Sequence, residues 1–152
     1  MAEHPEIALL SRKLTNAVDR IFECVGGLDA EGLNWKPPAP EANSLYILGT
    51  HIIGNVKQNV LVVLGGGPDD RDRDAEFEAS GASAHELLDR WTDVKAQITA
   101  RLTELGGDIL DRSYDHPRRG PSSGRELLIN AVAHANEHIG HAELTRQLYD
   151  AR

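Results

Sequence analysis

The stretch LLINAVAHANEHIGHAELTRQL, residues 127–148, decides the fold class because its apolar residues recur at the spacing of an α-helix. At 3.6 residues per turn, its three histidines fall on one stripe of this helix. The members of the stripe are His134, His138 and His141, with Leu127, Ala131 and Leu148. Three imidazoles therefore occupy positions where a core-facing helix would carry apolar residues, and they would compete there for hydrogen-bond partners and protons. A bound divalent metal ion is the simplest explanation of this pattern.

His134 and His138 are the natural pair of ligands, because side chains four residues apart on a helix point the same way and can share one ion. One helix rarely completes a metal site, and the best third candidate is His51. It lies in another apolar run, beside Ile47, Leu48, Ile52 and Ile53. A simpler interpretation stays open, since such pairs also arise by chance on solvated helix faces and a single buried histidine is more often a core residue than a ligand.

Four amphipathic helices are predicted, with a glycine pair or triplet ending each of the first three. Their predicted bounds are residues 5–25, 44–64, 83–105 and 123–149. The expected N-terminal signals are Asn43 or Ser44 for the second helix, and the capping boxes Ser83 with Glu86 and Ser123 with Glu126 for the third and fourth. No segment shows sustained strand alternation, so the sequence predicts an all-α four-helix bundle. Connections of about seventeen residues are long for a bundle, and at least one could cross it.

Length and composition bound the possible partners. A chain of 152 residues with 40% hydrophobic content predicts one domain, spanning residues 1–152. The net charge of −8, with 16 basic against 24 acidic side chains, argues against nucleic acid as a partner. Cys24 is the only cysteine, which rules out an internal disulfide, and the N-terminus lacks the pattern of a signal peptide, so we expect a cytoplasmic location. The apolar run 45–64 contains several polar residues and is expected to be a core helix, not a membrane span.

Two of the connections carry many charges. Residues 68–74, PDDRDRD, form a segment of mixed charge that we expect to be solvated and mobile, and we assign it no function. Residues 116–121, HPRRGP, precede the fourth helix. This segment could place Arg118 or Arg119 at the rim of a pocket for an anionic group, and a surface turn explains it equally well.

A histidine inside the second helix, followed by a closing helix of the form His-x-x-x-His-x-Gly, resembles the DinB-like (YfiT-like) metalloenzyme family. The resemblance covers nearly the whole chain and includes Asn34-Trp35-Lys36-Pro37 and the segment 140–146. It implies an up-down-down-up bundle, a homodimer and a metal site made of His51, His134 and His138. Nickel and zinc are the metals that it implies. Many relatives have glutamine where this chain has His141, which could be a fourth ligand or could hydrogen-bond a ligand.

The resemblance also implies a class of reaction, because characterised relatives include thiol-dependent S-transferases and a thiol-dependent isomerase. A divalent ion held by three neutral imidazoles keeps its positive charge and lowers the pKa of a bound thiol or water. We therefore expect a small-molecule substrate, with a low-molecular-weight thiol as the leading candidate and hydrolysis as the second. The alternative is a non-catalytic metal-binding or stress-response dimer, in which a closed site ties two helices together.

Two other catalytic readings are less well supported by the sequence. His134 to His138 also fits the His-x-x-Glu-His string of inverted zincin peptidases, with Glu137 as base. Those enzymes use a downstream acidic ligand from a larger framework, so we expect Glu137 to be exposed or to orient a histidine. Cys24 has no basic neighbour to activate it and follows the apolar stripe of the first helix, which predicts a buried packing role.

Overall fold

The computed structural model describes residues 3–152, which form a mostly helical protein with one small antiparallel sheet. Its elements in chain order are α1 (Pro5–Glu23), α2 (Ala30–Asn34), α3 (Leu45–Lys57) with a π-helical continuation (Gln58–Leu64), α4 (Arg73–Glu76), α5 (Ala84–Glu104), a 3-10 turn (Gly107–Leu110), β1 (Ser113–His116), β2 (Gly120–Ser123) and α6 (Gly124–Ala151). The four predicted helices correspond to α1, α3, α5 and α6, and their positions are confirmed.

The four long helices pack around one apolar core. Helix α1 packs against α5 and α6, and α3 packs against the same two helices. Fully buried side chains come from every one of them, including Leu14, Ile52, Ile98 and Leu127. Helix α3 therefore lies beside α6, and these two helices carry the candidate metal ligands. The up-down-down-up order of a four-helix bundle stays a prediction.

Local capping agrees with the sequence at two helices and differs at a third. The Ser44 hydroxyl accepts a hydrogen bond from the backbone N–H of Ile47 at the start of α3. Before α6 the capping box is complete, since Ser123 accepts from Glu126 N–H and the Glu126 carboxylate accepts from Ser123 N–H. The box predicted at Ser83 is wrong, because the Ser83 side chain makes no capping hydrogen bond. Tertiary packing of the α5 face holds that helix start in place without it.

The connections contain structure that the sequence did not predict. Helices α2 and α4 and the 3-10 turn lie within them, and β1 pairs with β2 as a hairpin directly before α6. These elements are four or five residues long, too short to show helical or strand periodicity. The hairpin turn contains the HPRRGP segment, and Gly120 at its end has φ +72°, which favours glycine.

The core-facing side of α6 is centred on alanines and not on the histidine stripe. Ala131, Ala135 and Ala142 are at most 1% exposed. His134 and His138 are half-buried at the edge of this side, and His141 is exposed. The expectation that Leu148 continues the core stripe is wrong, since it is 42% exposed. At about 100° per residue, a step of about 21 residues ends about 60° short of a whole number of turns. The stripe therefore drifts around the helix and leaves the core.

Several smaller expectations have clear outcomes. The run Leu45–Leu64 is long and apolar enough to cross a membrane, yet most of it is buried within the protein, as predicted for a core helix. Cys24 is buried, and burial raises the pKa of its thiol, as expected for a packing residue. The cytoplasmic location and the homodimer stay predictions. Exposed large apolar side chains on α6 offer a surface on which the dimer can be tested: Ile129, Leu144 and Leu148.

Candidate metal centre

The three predicted ligands meet between α3 and α6. The Nε2 atom of His134 lies 3.1 Å from Nε2 of His51 and 3.2 Å from Nε2 of His138. All three residues offer a nitrogen within 4.8 Å of the others. His51 comes from the middle of α3 and is 3% exposed, whereas the other two lie one turn apart on α6. The structure therefore brings together the three histidines that the sequence singled out.

The relative orientation of the rings matches that of ligands around one ion. The planes of His134 and His138 cross at 89°, and the His51 plane crosses them at 69° and 76°. Nitrogens that are each about 2.1 Å from one ion lie about 3.0 Å apart at a right angle and about 3.4 Å apart at the tetrahedral angle. The two measured Nε2 separations fall between these values. The spacing of His134 from each of the other two histidines is therefore compatible with one divalent ion.

Hydrogen bonding alone leaves this cluster incompletely satisfied. His51 Nδ1 lies 3.0 Å from Oε1 of Glu76, and a carboxylate requires a donor there, so the His51 proton is on Nδ1 and its Nε2 carries a lone pair. The single Nε2 proton available to His134 can point at His51 or at His138, but not at both. In one of the two close pairs, His134 with His51 or His134 with His138, the facing Nε2 atoms would then share no hydrogen bond. A cation between the three nitrogens removes that conflict, which is the chemical reason that the residues fit a metal.

Glu76 supports His51, and Arg71 supports Glu76. The Arg71 guanidinium donates to both carboxylate oxygens at 2.8 Å, and its third nitrogen donates to Gln58 Oε1 at 2.9 Å. The side chains of Arg71 and Glu76 are each only 8% exposed. This carboxylate holds the His51 ring in one tautomer and one orientation, an arrangement typical of metal-binding histidines.

The sequence analysis missed both supporting residues. Arg71 lies in the mixed-charge segment to which no function was assigned, and Glu76 follows it on α4. Our expectation of a solvated segment is therefore wrong for Arg71. One sequence signal was available, namely Gly54, a glycine inside an apolar helix three residues after His51. A Cβ atom at that position would lie 2.0 Å from Glu76 Oε2, so the glycine lets the carboxylate approach α3.

The two remaining candidates lie outside the group of converging nitrogens. The Nδ1 atom of His141 is 3.2 Å from Nδ1 of His138, which is the ring nitrogen of His138 that does not face His134. His141 is exposed, and its position is that of a hydrogen-bond partner to His138. Glu137 is exposed on a neighbouring face of α6. Neither residue belongs to the group of ligand atoms that could hold one ion.

Burial keeps the α6 histidines ready to bind a cation. Burial, with a smaller effect from His51, lowers the pKa of His134 to about 4. Burial, followed by the charges of His134 and His51, lowers the pKa of His138 to about 3. Burial acts to raise the pKa of Glu76, but hydrogen bonds from Arg71 and His51 outweigh it and hold that pKa below its usual value. At neutral pH His134 and His138 are therefore neutral and Glu76 is ionised, as metal binding requires.

A cavity of about 250 Å³ opens beside the histidines. Its lining residues are His51, Asn55, Arg71, Arg73, His116, Arg118, Arg119 and His134. The arginines come from the α3–α4 connection, from the start of α4 and from the β-hairpin, which is far from the other two in the sequence. A small molecule in this cavity would lie next to two of the three converging histidines.

A sequence model of the DinB superfamily matches residues 13–142. The chain belongs to the DinB superfamily. Among solved structures, a conserved protein from Enterococcus faecalis is similar with a TM-score of 0.76 and 20% identity, covering 95% of this chain and 97% of that one. A DinB-like protein from Bacillus cereus has a TM-score of 0.73 and 19% identity, covering 97% and 94%. No curated protein matches the sequence.

Proposed function

We propose that this DinB-superfamily protein is a divalent-metal-dependent enzyme that acts on a small molecule, with His51, His134 and His138 as the metal ligands. Zinc and nickel are the proposed ions, because borderline metals of this kind prefer neutral imidazole nitrogen. The convergence of three Nε2 atoms beside a cavity is the observation that carries the proposal. The superfamily membership supports the metal but does not identify a reaction.

An open coordination position favours catalysis over a purely structural ion. A structural zinc site is normally closed by four protein ligands, whereas a catalytic site keeps a position for water or substrate. His141, which the sequence offered as a possible fourth ligand, lies on the far side of the His138 ring. The cavity lies next to His51 and His134 instead. His116 also lines the cavity, and its Nδ1 atom already accepts two backbone hydrogen bonds. The alternative of a non-catalytic metal-binding dimer therefore has less support.

The proposed chemistry is the transfer of a low-molecular-weight thiol onto an electrophile, with hydrolysis of a small substrate as the second possibility. A divalent ion in this site would lower the pKa of a bound thiol or water and so supply the nucleophile. None of the eight residues that line the cavity, all within the described chain, is serine, threonine, cysteine or a carboxylic acid. The protein side chains therefore bind and orient, while the nucleophile comes from the substrate or from water.

Elemental analysis of purified protein tests the metal. We expect about one zinc or nickel ion per chain in the wild-type protein and a near-complete loss in His51→Ala, which removes the ligand contributed by α3. The matched control is His85→Ala, because His85 is an exposed histidine on α5 that pairs with Asp89. A wild-type protein without stoichiometric metal, or an equal loss in the His85 variant, would contradict the proposal.

Activity assays then separate the two classes of function. Metal-loaded protein is mixed with a panel of low-molecular-weight thiols and a chromogenic electrophile, and with small ester and amide substrates. We expect turnover that is lost in His138→Ala and after removal of the metal. A protein that holds its metal tightly and turns over none of these substrates would support the non-catalytic alternative.

A further inference from the structure

The cavity beside the histidines presents hydrogen-bond donors from nearly every side. Arginine side chains have no acceptor atom, and four of them line it. None of the eight lining residues, all of which lie in the described chain, carries a carboxylate. The protein has a net charge of −8, so this is a local concentration of positive charge on an acidic molecule. A ligand that fits such a lining must consist mainly of acceptor atoms.

Asn55 adds a donor to this lining. It is 8% exposed and lies one helical turn beyond His51 on α3. Its Oδ1 atom accepts from Nδ2 of Asn59, so its own carbonyl oxygen is already occupied. The Nδ2 donor of Asn55 makes no hydrogen bond within residues 3–152 and belongs to a residue that lines the cavity. This donor is accessible from the cavity and free to bond an acceptor of a ligand or a water molecule.

Three of the four arginines keep their charge available for a ligand. Arg71 is neutralised by Glu76. Arg73, Arg118 and Arg119 form no ion pair with any other part of the described chain, although the Arg73 guanidinium lies 4.9 Å from the centre of the Phe77 ring. An unpaired arginine beside a cavity provides planar, two-pronged donation that suits carboxylate and phosphate groups.

The hairpin fixes the backbone at Arg118 and Arg119 before any ligand arrives. His116 is 5% exposed, and its Nδ1 accepts hydrogen bonds from the backbone N–H groups of Arg118 at 3.1 Å and Arg119 at 3.2 Å. These two hydrogen bonds fix the turn. From the sequence, this segment could be assigned only to a surface turn or to the rim of a pocket. It is both, because the exposed residues Arg118 and Arg119 of this turn also line the cavity. A preformed turn lowers the entropy cost of binding.

We propose that this cavity binds the carboxylate or phosphate group of a small anionic substrate, with Arg73, Arg118, Arg119 and Asn55 as its contacts. A volume of about 250 Å³ is below the usual range for drug-sized ligands, so the substrate is a small metabolite. The inference deepens the proposed function, on which it rests for the placement of the reacting group near the histidines. Anion binding itself depends only on the side chains of the protein.

Titration calorimetry with inorganic phosphate and with succinate tests the proposal on metal-free protein. The chelator must be removed by dialysis, because it is itself a polyanion, and ionic strength is held constant with sodium chloride. We expect saturable binding of at least one of the two anions below about 10 mM, and none of the neutral analogue succinamide. Binding of phosphate alone or of succinate alone supports the proposal and identifies the class of anion.

The decisive variant is Arg118→Gln/Arg119→Gln, compared with Arg12→Gln/Lys13→Gln. The second pair removes the same two charges from an exposed position on α1, away from the cavity. We expect the hairpin variant to weaken anion binding at least about tenfold and the control to change it little, because only the former removes charge-assisted hydrogen bonds. Equal weakening in the two variants, or no saturable binding by the wild-type protein, would overturn the inference.

The two proposals fail separately in these experiments. Absence of metal in the wild-type protein would remove the proposed function and leave the anion titration unchanged, since that titration is done without metal. Absence of anion binding would leave the metal content of the wild-type and His51→Ala proteins unchanged. A second titration of metal-loaded protein shows whether an ion near His51 and His134 strengthens anion binding, as their proximity predicts.

Discussion

On the α3 side of the histidine cluster, His51 is 3% exposed and its Nδ1 atom is held by Glu76, which is held in turn by Arg71. On the α6 side, His134 and His138 are half-buried, and the partner of His138 is the exposed His141. One side is thus supported by buried charge, and the other faces the solvent. A metal site built in this way has one ligand fixed before the ion arrives and two that retain freedom to adjust.

This difference explains how one cluster could serve both binding and reaction. The buried carboxylate orients the His51 ring and sets its tautomer, which favours tight binding of the ion. Room for a substrate lies between the two sides, in the cavity that borders both His51 and His134. We therefore expect changes on the α3 side to affect stability and metal affinity strongly, and comparable changes on the α6 side to affect them less.

The strongest test of the comparison is Arg71→Met. The change leaves Glu76 buried without its main charge partner, and we expect the free energy of unfolding of the metal-free protein to fall by about 3 kcal/mol. The measurement is chemical denaturation followed by circular dichroism. The double variant Arg71→Met/Glu76→Gln should regain part of the loss, because it removes the unpaired charge. A loss below about 1 kcal/mol in the single variant would show that the pair is more solvated than its burial indicates.

Glu76→Gln and His141→Gln compare the hydrogen-bond partners of two proposed metal ligands, His51 and His138. We expect Glu76→Gln to weaken metal binding by about 10- to 100-fold, since an amide cannot orient and polarise His51 as a carboxylate does. His141→Gln should weaken it by less than about tenfold, because the exposed partner of His138 is replaced by another hydrogen-bonding side chain. Competition with a chromogenic chelator measures both constants. An equal effect of the two changes would remove the distinction between the sides.

Gly54→Ala adds a methyl group to the α3 side, and Gly140→Ala adds one to the α6 side. At Gly54 the new Cβ would lie 2.0 Å from Glu76 Oε2, so we expect loss of stability by about 1–3 kcal/mol and weaker metal binding. At Gly140, where nothing lies within 4 Å, alanine should stabilise α6 by up to about 1 kcal/mol and leave metal binding unchanged. Thermal unfolding with and without added zinc gives both readouts. A stabilised Gly54 variant with normal metal affinity would contradict the arrangement around Glu76.

The smallest expected difference between the α3 and α6 sides is in the pH dependence of stability. The folded-state pKa values of His134 and His138 lie below the unfolded value of 6.5, so the unfolded chain binds more protons and stability falls as pH drops below about 6.5. The lowered pKa of Glu76 adds a loss only at lower pH, as the carboxylate becomes protonated. Between about pH 7 and about pH 5, we expect the metal-free protein to lose on the order of 1 kcal/mol per α6 histidine, since half-exposed groups are partly screened.

Denaturation of metal-free variants at several pH values tests whether His134 and His138 cause this pH dependence. His134→Gln/His138→Gln should remove most of the dependence between about pH 7 and about pH 5, because glutamine does not titrate. His85→Gln, which removes one exposed histidine from α5, serves as the control for loss of a histidine. A dependence that survives in the double variant would assign the effect to other groups.

The sequence predicted part of the site because that part is local. The four-residue spacing of His134 and His138 fixes their common direction once the segment is helical, and the capping box of Ser123 and Glu126 marks where that helix begins. His51 was identified by its apolar surroundings. Glu76 was not identified, because it lies 25 residues from His51 in the sequence. No local pattern predicts which carboxylate contacts a histidine at that distance along the chain. The same reason explains why Arg118 and Arg119 could be assigned only to a turn or a pocket rim.

By itself, the sequence determined the four long helices, the apolar faces that drive them together and the three histidines suited to one ion. Helical periodicity and capping depend on neighbours within a few residues, so they can be read along the chain. Only the tertiary structure decided that α3 lies beside α6, that Arg71 and Glu76 fold back onto His51, and that the hairpin contributes arginines to a cavity beside the histidines. Those contacts join segments distant in the chain, and the packing of the whole core selects them.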